Sequence, residues 1–245
     1  MKSFLFILIF LFYQVNADLI LDAQKFYEQG LQASSFKEQQ RMFNQALTLY
    51  DEAVQQYPLN PLFNHALGNC YFQLGEYAWA VLYYQRALKL NPQEEGVYTA
   101  LNKAEKILSL PMTPLYSSFF RPLLSAIQRL TLLFWLSLCS LIGACFLLIF
   151  NHEGVKKLVV SIWSLTFIIW IITVFIYFFT PIEGILIQST GLYRDPSFDQ
   201  PQLLNTPLFA GSKLQILQAS ANEWIKIRTP DQQVGFIPLS TLRLI

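Results

Sequence analysis

Side-chain catalysis needs a nucleophile, a base or a set of metal ligands at workable spacing, and this chain offers few of them. Its 245 residues include two histidines, His65 and His152, and three cysteines, Cys70, Cys139 and Cys145. Cys139 and Cys145 share one apolar run, where a thiol packs as a small hydrophobic group. No cysteine pair has metal-ligand spacing, and no disulfide framework is available. Glu94 and Glu95 are adjacent at a predicted helix start, where acids offset the helix dipole rather than share a proton. No GxSxG, Walker loop, HExxH or paired-cysteine motif occurs. The residues ask for no enzyme, no cofactor and no metal.

The elements around them are dominated by the stretch from Pro122 to Phe179. Leu130–Phe150 and Leu158–Phe179 contain no Asp, Glu, Lys or Arg, and each is near the length that spans a bilayer core. Only Asn151–Lys157 separates them, so they read as two antiparallel transmembrane helices whose outer ends emerge on one side. The expected boundaries are a linker over 111–122, membrane helices over 123–150 and 158–180, and a short loop over 151–157. The absence of charge inside both runs argues against an ion or proton pathway. Overall the chain is 53% hydrophobic and 13% charged, and the runs account for the low charge, leaving small soluble domains on either side.

At the amino terminus, Lys2 precedes an apolar run from Phe4 to Tyr13, and Val15-Asn16-Ala17 presents small residues for cleavage. This is the pattern of a signal peptide over 1–17; an uncleaved anchor would export the same parts. Lys156 and Lys157 favour a cytoplasmic loop, Arg121 and Arg129 pull the other way, and the signal peptide decides for the cytoplasmic loop. Both soluble parts are then expected in the periplasm of a bacterial inner-membrane protein. Trp163 and Tyr177 stand near the ends of the second run as interfacial anchors, with Trp170 at mid-membrane. Asp18–Leu110 carries ten acids and seven bases, a net of −3, and Pro181–Ile245 carries five of each. Neither is a nucleic-acid footprint.

Pro58 and Pro92 lie 34 residues apart and each closes an amphipathic segment. Within Pro61–Pro92, Leu67, Gly68 and Tyr71 fall on a first helix, Ala80, Tyr84 and Ala87 on a second, and Pro92 on the closing turn. This resembles a tetratricopeptide (TPR) repeat. Asn64 stands where that repeat prefers tryptophan. Gly68 and Ala80 should let the paired helices approach closely, with Tyr71 and Tyr84 filling space between layers. Ala46, Tyr50, Ala53 and Pro58 repeat the second half one period earlier, but Ala23–Lys37 fits only with about four residues inserted between the helices. Glu95–Leu108 reads as a further first helix that caps an all-α repeat domain over 18–110. The resemblance implies a binding groove lined by first helices, with His65, Asn69, Phe72, Gln73, Thr99, Lys103 and Lys106 facing it. The competing reading of each is ordinary solvated surface.

Beyond Pro181 the apolar period changes to alternation. Ile185–Leu192, Lys213–Leu217, Glu223–Arg228, Gln233–Ile237 and Leu242–Leu244 read as short strands, with a long loop from Tyr193 to Pro207. Asn222-Glu223-Trp224-Ile225-Lys226-Ile227 and Gly235-Phe236-Ile237-Pro238 resemble a bacterial SH3-like domain, which implies a small all-β barrel over 181–245. Its binding face would use Tyr193, Trp224, Phe236 and Pro238, by analogy with aromatic grooves that hold extended peptides. Core packing competes for Trp224 and Phe236.

The order of exported TPR module, membrane hairpin and terminal SH3-like domain resembles the BatE-like TPR proteins of bacterial aerotolerance (Bat) operons. That resemblance implies a non-catalytic envelope scaffold whose partners are membrane proteins with von Willebrand factor A-type domains. The alternative expectation is binding of peptidoglycan through the SH3-like domain. A signalling role is disfavoured, because the 151–157 loop is too short for an output domain.

Overall fold

The computed structural model describes residues 19–111, 181–198, 201–204, 206–219 and 223–245, with scattered helical positions between 132 and 175. The predicted signal peptide, nearly all of the 111–122 linker, the 151–157 loop and most of both apolar runs lie outside these residues. The chain divides into two units, 1–121 with 182–245, and 122–181.

In the second unit the described positions, among them Leu132, Trp135, Ile142, Ser161 and 167–172, are helical. Phe167 stacks on Trp170 with ring centroids 5.9 Å apart. Among the described residues, no helix is long and apolar enough to cross a membrane.

Among the described residues of the first unit, five helices come first: α1 over residues 19–32, α2 Phe36–Gln56, α3 Pro61–Gln73, α4 Tyr77–Leu90 and α5 Glu95–Ile107. Asn60 starts α3 by accepting the Leu62 N–H at 3.0 Å, and Pro61 occupies the first helical position, where its missing N–H costs nothing. Gly75, at φ 82°, ends the helix. Its N–H reaches Phe72 O while that of Glu76 reaches Tyr71 O, the Schellman closure that a left-handed glycine permits.

The two helical hairpins differ in length rather than in loop. α2 has 21 residues against 14 for α4. The insertion expected between the first two helices is instead absorbed as extra turns at the start of α2, which preserves helical hydrogen bonding where a longer loop would not. Gly30 stands so close to the Phe43 ring that a Cβ there would lie 2.7 Å from it.

The repeat signature packs as its residue sizes dictate. Leu67 and Ala80 are fully buried, and Tyr84 and Ala87 nearly so. The Tyr84 ring lies in the space that Gly68 leaves open; a Cβ at Gly68 would sit 2.5 Å from it. Tyr71 stacks instead on Trp79 and Tyr83, at 5.6 and 5.3 Å. Asn64, in the place of the expected tryptophan, is 3% exposed and donates to Asn60 O at 3.4 Å. Pro92 lies in the turn before α5, and its carbonyl accepts the Tyr98 hydroxyl at 3.3 Å.

After residue 181 come β1 Ile182–Leu186, β2 Lys213–Ala219, β3 Trp224–Arg228, β4 Val234–Pro238 and β5 Leu242–Leu244, all neighbours antiparallel in the order β4-β3-β2-β1-β5. Leu186, Leu192, Leu214, Ile225, Ile227, Ile237 and Leu242 form its core. The expected barrel is an open sheet, and the reason lies at its edges. The outer edge of β4 is taken by Tyr193, which exchanges two backbone hydrogen bonds with Phe236, while β5 faces α4. The first strand also differs from expectation. It begins at Ile182 and ends at Leu186, because the following N–H groups go to separate partners: Ile187 to Thr241, Thr190 to Leu208 and Tyr193 to Phe236.

The helices and the sheet, far apart in sequence, share one hydrophobic cluster. Ile185 is buried with Val81, Leu82, Val97 and Leu101, and Ile187 and Ile245 pack against them.

Alanine at Gly68 would gain about 1 kcal/mol of helix propensity but force the Tyr84 ring out of its site, for which overpacking costs about 1–3 kcal/mol. The expected net result is a lower urea midpoint with an unchanged m value. A raised midpoint would show that Tyr84 yields freely.

Candidate partner-binding faces

The face on α3 is built on α4. The Tyr84 hydroxyl donates to Asn69 Oδ1 at 2.8 Å, and the His65 ring meets the Tyr84 ring edge-on at 5.9 Å. One aromatic residue therefore fills the Gly68 gap and fixes two predicted groove residues. Gln73, one turn further along, is exposed, and it offsets part of the upward shift that burial imposes on the Tyr27 hydroxyl of α1. Tyr27 in turn packs on Phe43 at 5.5 Å. Phe72 is half-buried against Tyr77 at 5.3 Å, so it serves packing as much as any face.

On α5, Thr99, Lys103 and Lys106 are exposed. The Thr99 hydroxyl donates to Glu95 O at 3.1 Å. α3 packs beside α5, and the link between the two sets is electrostatic. Glu94, just before α5, acts on His65 against the larger effect of burial, which holds the imidazole below its ordinary value of 6.5. His65 is therefore a neutral donor or acceptor at pH 7. Cys70, fully buried in the same helix, has its thiol pushed up to about 12 by burial, which removes it from thiolate chemistry. Among the described residues no three His, Cys, Asp or Glu side chains gather as a metal site.

On the sheet, alternation decides which side chains share a face. Trp224 pairs with Pro238 and Lys226 with Phe236, so these four point away from Ile225, Ile227 and Ile237 in the core. Lys226 Nζ lies 5.8 Å from the Phe236 ring centre. Trp224 is nevertheless only 8% exposed, because Tyr193 and Phe198 cover it at 5.4 and 4.7 Å. Tyr193 and Phe198 meet at 5.7 Å. The structure thus gathers Tyr193 and Trp224 and sets Phe236 and Pro238 beside them on the face. It adds Phe198, which is 68% exposed. The sequence signal for Phe198 was slight: an aromatic residue five positions after Tyr193 in a Pro-containing loop.

The sequence reading also missed how β5 is held. Arg86 of α4 donates from Nε and Nη2 to Leu244 O at 3.1 and 2.8 Å, and Lys89 Nζ donates to Ile245 O at 2.8 Å. The Arg86 guanidinium also lies over Tyr83, 5.2 Å from its centre. Arg243 of β5 lies over Trp79 at 5.8 Å. Trp79, Tyr71 and Tyr83 form a three-ring cluster, Trp79 and Tyr83 also meeting at 6.5 Å, with one guanidinium over Trp79 and another over Tyr83. Nearby, a half-open cavity of about 460 Å3 is lined by Val81, Gln85, Leu110, Ile185, Phe209 and Lys213, among others.

Residues 65–94 match the family model of the tetratricopeptide repeat, in register with α3, α4 and the following turn. A search of curated proteins returns no match. A tetratricopeptide repeat points to a protein–protein interaction scaffold.

The His65 shift has a definite sign. A histidine with a folded pKa below 6.5 binds fewer protons in the folded state than in the unfolded one. Its share of stability is complete above about 6.5 and is lost as pH falls through the lower folded value. In His65→Gln that part of the acid-side loss should disappear, as measured by thermal melting between pH 7 and pH 5. An identical pH profile in the variant would contradict the assignment.

Proposed function

We propose that this chain is a non-catalytic scaffold anchored in a bacterial inner membrane, with its repeat groove and its sheet domain both in the periplasm. The observation that carries the reading is the repeat itself: a matched TPR unit whose first helix presents His65 and Asn69 fixed from beneath by Tyr84. Side chains pre-set in this way lose less freedom on binding. Thr99, Lys103 and Lys106 continue the face on α5. The groove takes a protein partner, and the resemblance to the Bat aerotolerance proteins nominates a membrane protein with a von Willebrand factor A-type domain.

Two observations support the membrane anchor. The described helical positions of 122–181 expose Leu165, Ile168, Ile172 and Phe175 together with Trp135 and Ile142, large apolar groups that lipid would cover. In addition, α4 precedes the two apolar runs and β5 follows them, yet Arg86 bonds to Leu244 of β5 and Lys89 to the adjoining Ile245. A chain that crosses a membrane between these points must cross it an even number of times, as a hairpin does. Short antiparallel strands around one core, with an aromatic outer face, support the SH3-like reading of the sheet domain.

The test is photo-crosslinking in intact cells from a probe at Gln73. The expected result is capture of a defined envelope protein, abolished or reduced several-fold by Asn69→Ala with Lys103→Glu. Capture that ignores those substitutions, or none, would contradict the groove assignment. Reporter fusions after Leu110, at Asn151 and at Ile245 test the topology. The first and third should report periplasm and the second cytoplasm.

A second reading is favoured by the exposed Phe198 on the Tyr193–Trp224 pair, an aromatic platform on which sugar or peptide of the cell wall could lie. Full-length protein should then be retained by purified peptidoglycan and lose retention in Phe198→Ala. Equal retention of both forms would remove this reading.

A further inference from the structure

We propose that the five-strand sheet is the terminal cap of the helical stack, so that repeat module and sheet open and close as one body rather than as two tethered modules. A repeat stack needs its last helix covered, since each unit buries its apolar side only against a neighbour. α5 follows the turn at Pro92 and takes the first-helix place of a further repeat, as the last helix of the described stack. Its residues Val97, Tyr98, Leu101 and Ala104 are buried all the same. They share one buried cluster with α4 residues and with Ile185 of β1, against which Ile187 and Ile245 also pack, and β1 meets that cluster from the α4 side.

The end of α5 fits the sheet closely. Leu108 and Leu110 flank its closing turn, and a Cβ at Gly211 would lie 2.5 and 2.8 Å from their Cδ1 atoms. Gly211 also has φ 87°, so glycine is required there on two counts.

The polar side of the seam is matched to a sheet edge. β5 is an end strand. Ile245, just after it, donates its N–H to Glu183 O, and Thr241, just before it, accepts from Ile187 N, so alternate residues 241, 243 and 245 turn toward β1. Leu244 turns its carbonyl outward, where an edge would be left for water or for another chain. Arg86 supplies two N–H donors to that oxygen, and its flat guanidinium is held in place by Tyr83. The edge is thereby closed by the helical module.

Hydrogen exchange of the full-length protein in a membrane mimetic tests this, using two variants. Ile227→Val trims the sheet core at a fully buried residue whose cluster contains only residues of the sheet domain. If the two modules open together, α4 and α5 amides should exchange roughly fivefold faster along with those of β2 and β3. Acceleration confined to the sheet would overturn the proposal. Arg86→Ala should speed exchange of β5 and α5 amides together by about tenfold, since a charged donor to a backbone oxygen is lost. Acceleration of only one of the two, or of neither, would overturn it as well.

Discussion

The constraint on which the described structure depends is that α4 must be covered on every side. Ala80, Val81, Leu82, Tyr83 and Tyr84 are consecutive and all buried. Successive residues of a helix turn by about 100°, so five in a row close the circumference. A helix buried all round cannot sit at the surface of a two-layer repeat. α3 covers one side, α5 another, and β1 with β5 the remainder. The sheet is therefore not an appendage to the repeats: without it, part of α4 would face water.

This helix also connects the two faces of the repeat module. Tyr84 points to α3, fills the gap over Gly68 and fixes Asn69. Its neighbour Tyr83 stacks on Tyr71 of α3 and lies under the Arg86 guanidinium that bonds to β5. The face proposed for partners lies on the first helices, whereas β1 packs on α4, a second helix. The aromatic platform of Tyr193, Phe198 and Trp224 belongs to the same unit, 1–121 with 182–245, which therefore carries two candidate faces. A partner engaging both would meet them in fixed geometry, with less ordering cost than two flexibly linked modules would impose.

The sequence was informative where residue size alone decides packing. The 34-residue period, the small Gly68 and Ala80, and the large Tyr84 assign a first and a second helix within Pro61–Pro92, where α3 and α4 lie, because each position of that pattern has a local steric reason. Strands β2 to β5 were legible within one or two residues from alternation and turn signals. The long first part of α2 was not, since Phe36–Met42 lies outside the period that anchored the reading. The loop over 187–208 was read too simply, because its hydrogen bonds are shared among β4, β5 and Leu208. The barrel expectation failed for a reason no local pattern contains: β5 faces a helix more than 150 residues away in sequence. One signal was present and unused. The run Tyr77-Ala78-Trp79-Ala80-Val81-Leu82-Tyr83-Tyr84 is apolar on all sides, and such a run asks for a third wall.

The Trp79–Arg243 pair reports directly on whether α4 and β5 are in contact in the folded protein, since each residue lies on one side of the seam. A double-mutant cycle of Trp79→Ala and Arg243→Ala, read by denaturant unfolding of the full-length chain, isolates their interaction. Contact across the seam should give a coupling of about 0.5–1 kcal/mol. Additivity within about 0.3 kcal/mol would contradict it, leaving the repeats and the sheet as separate bodies.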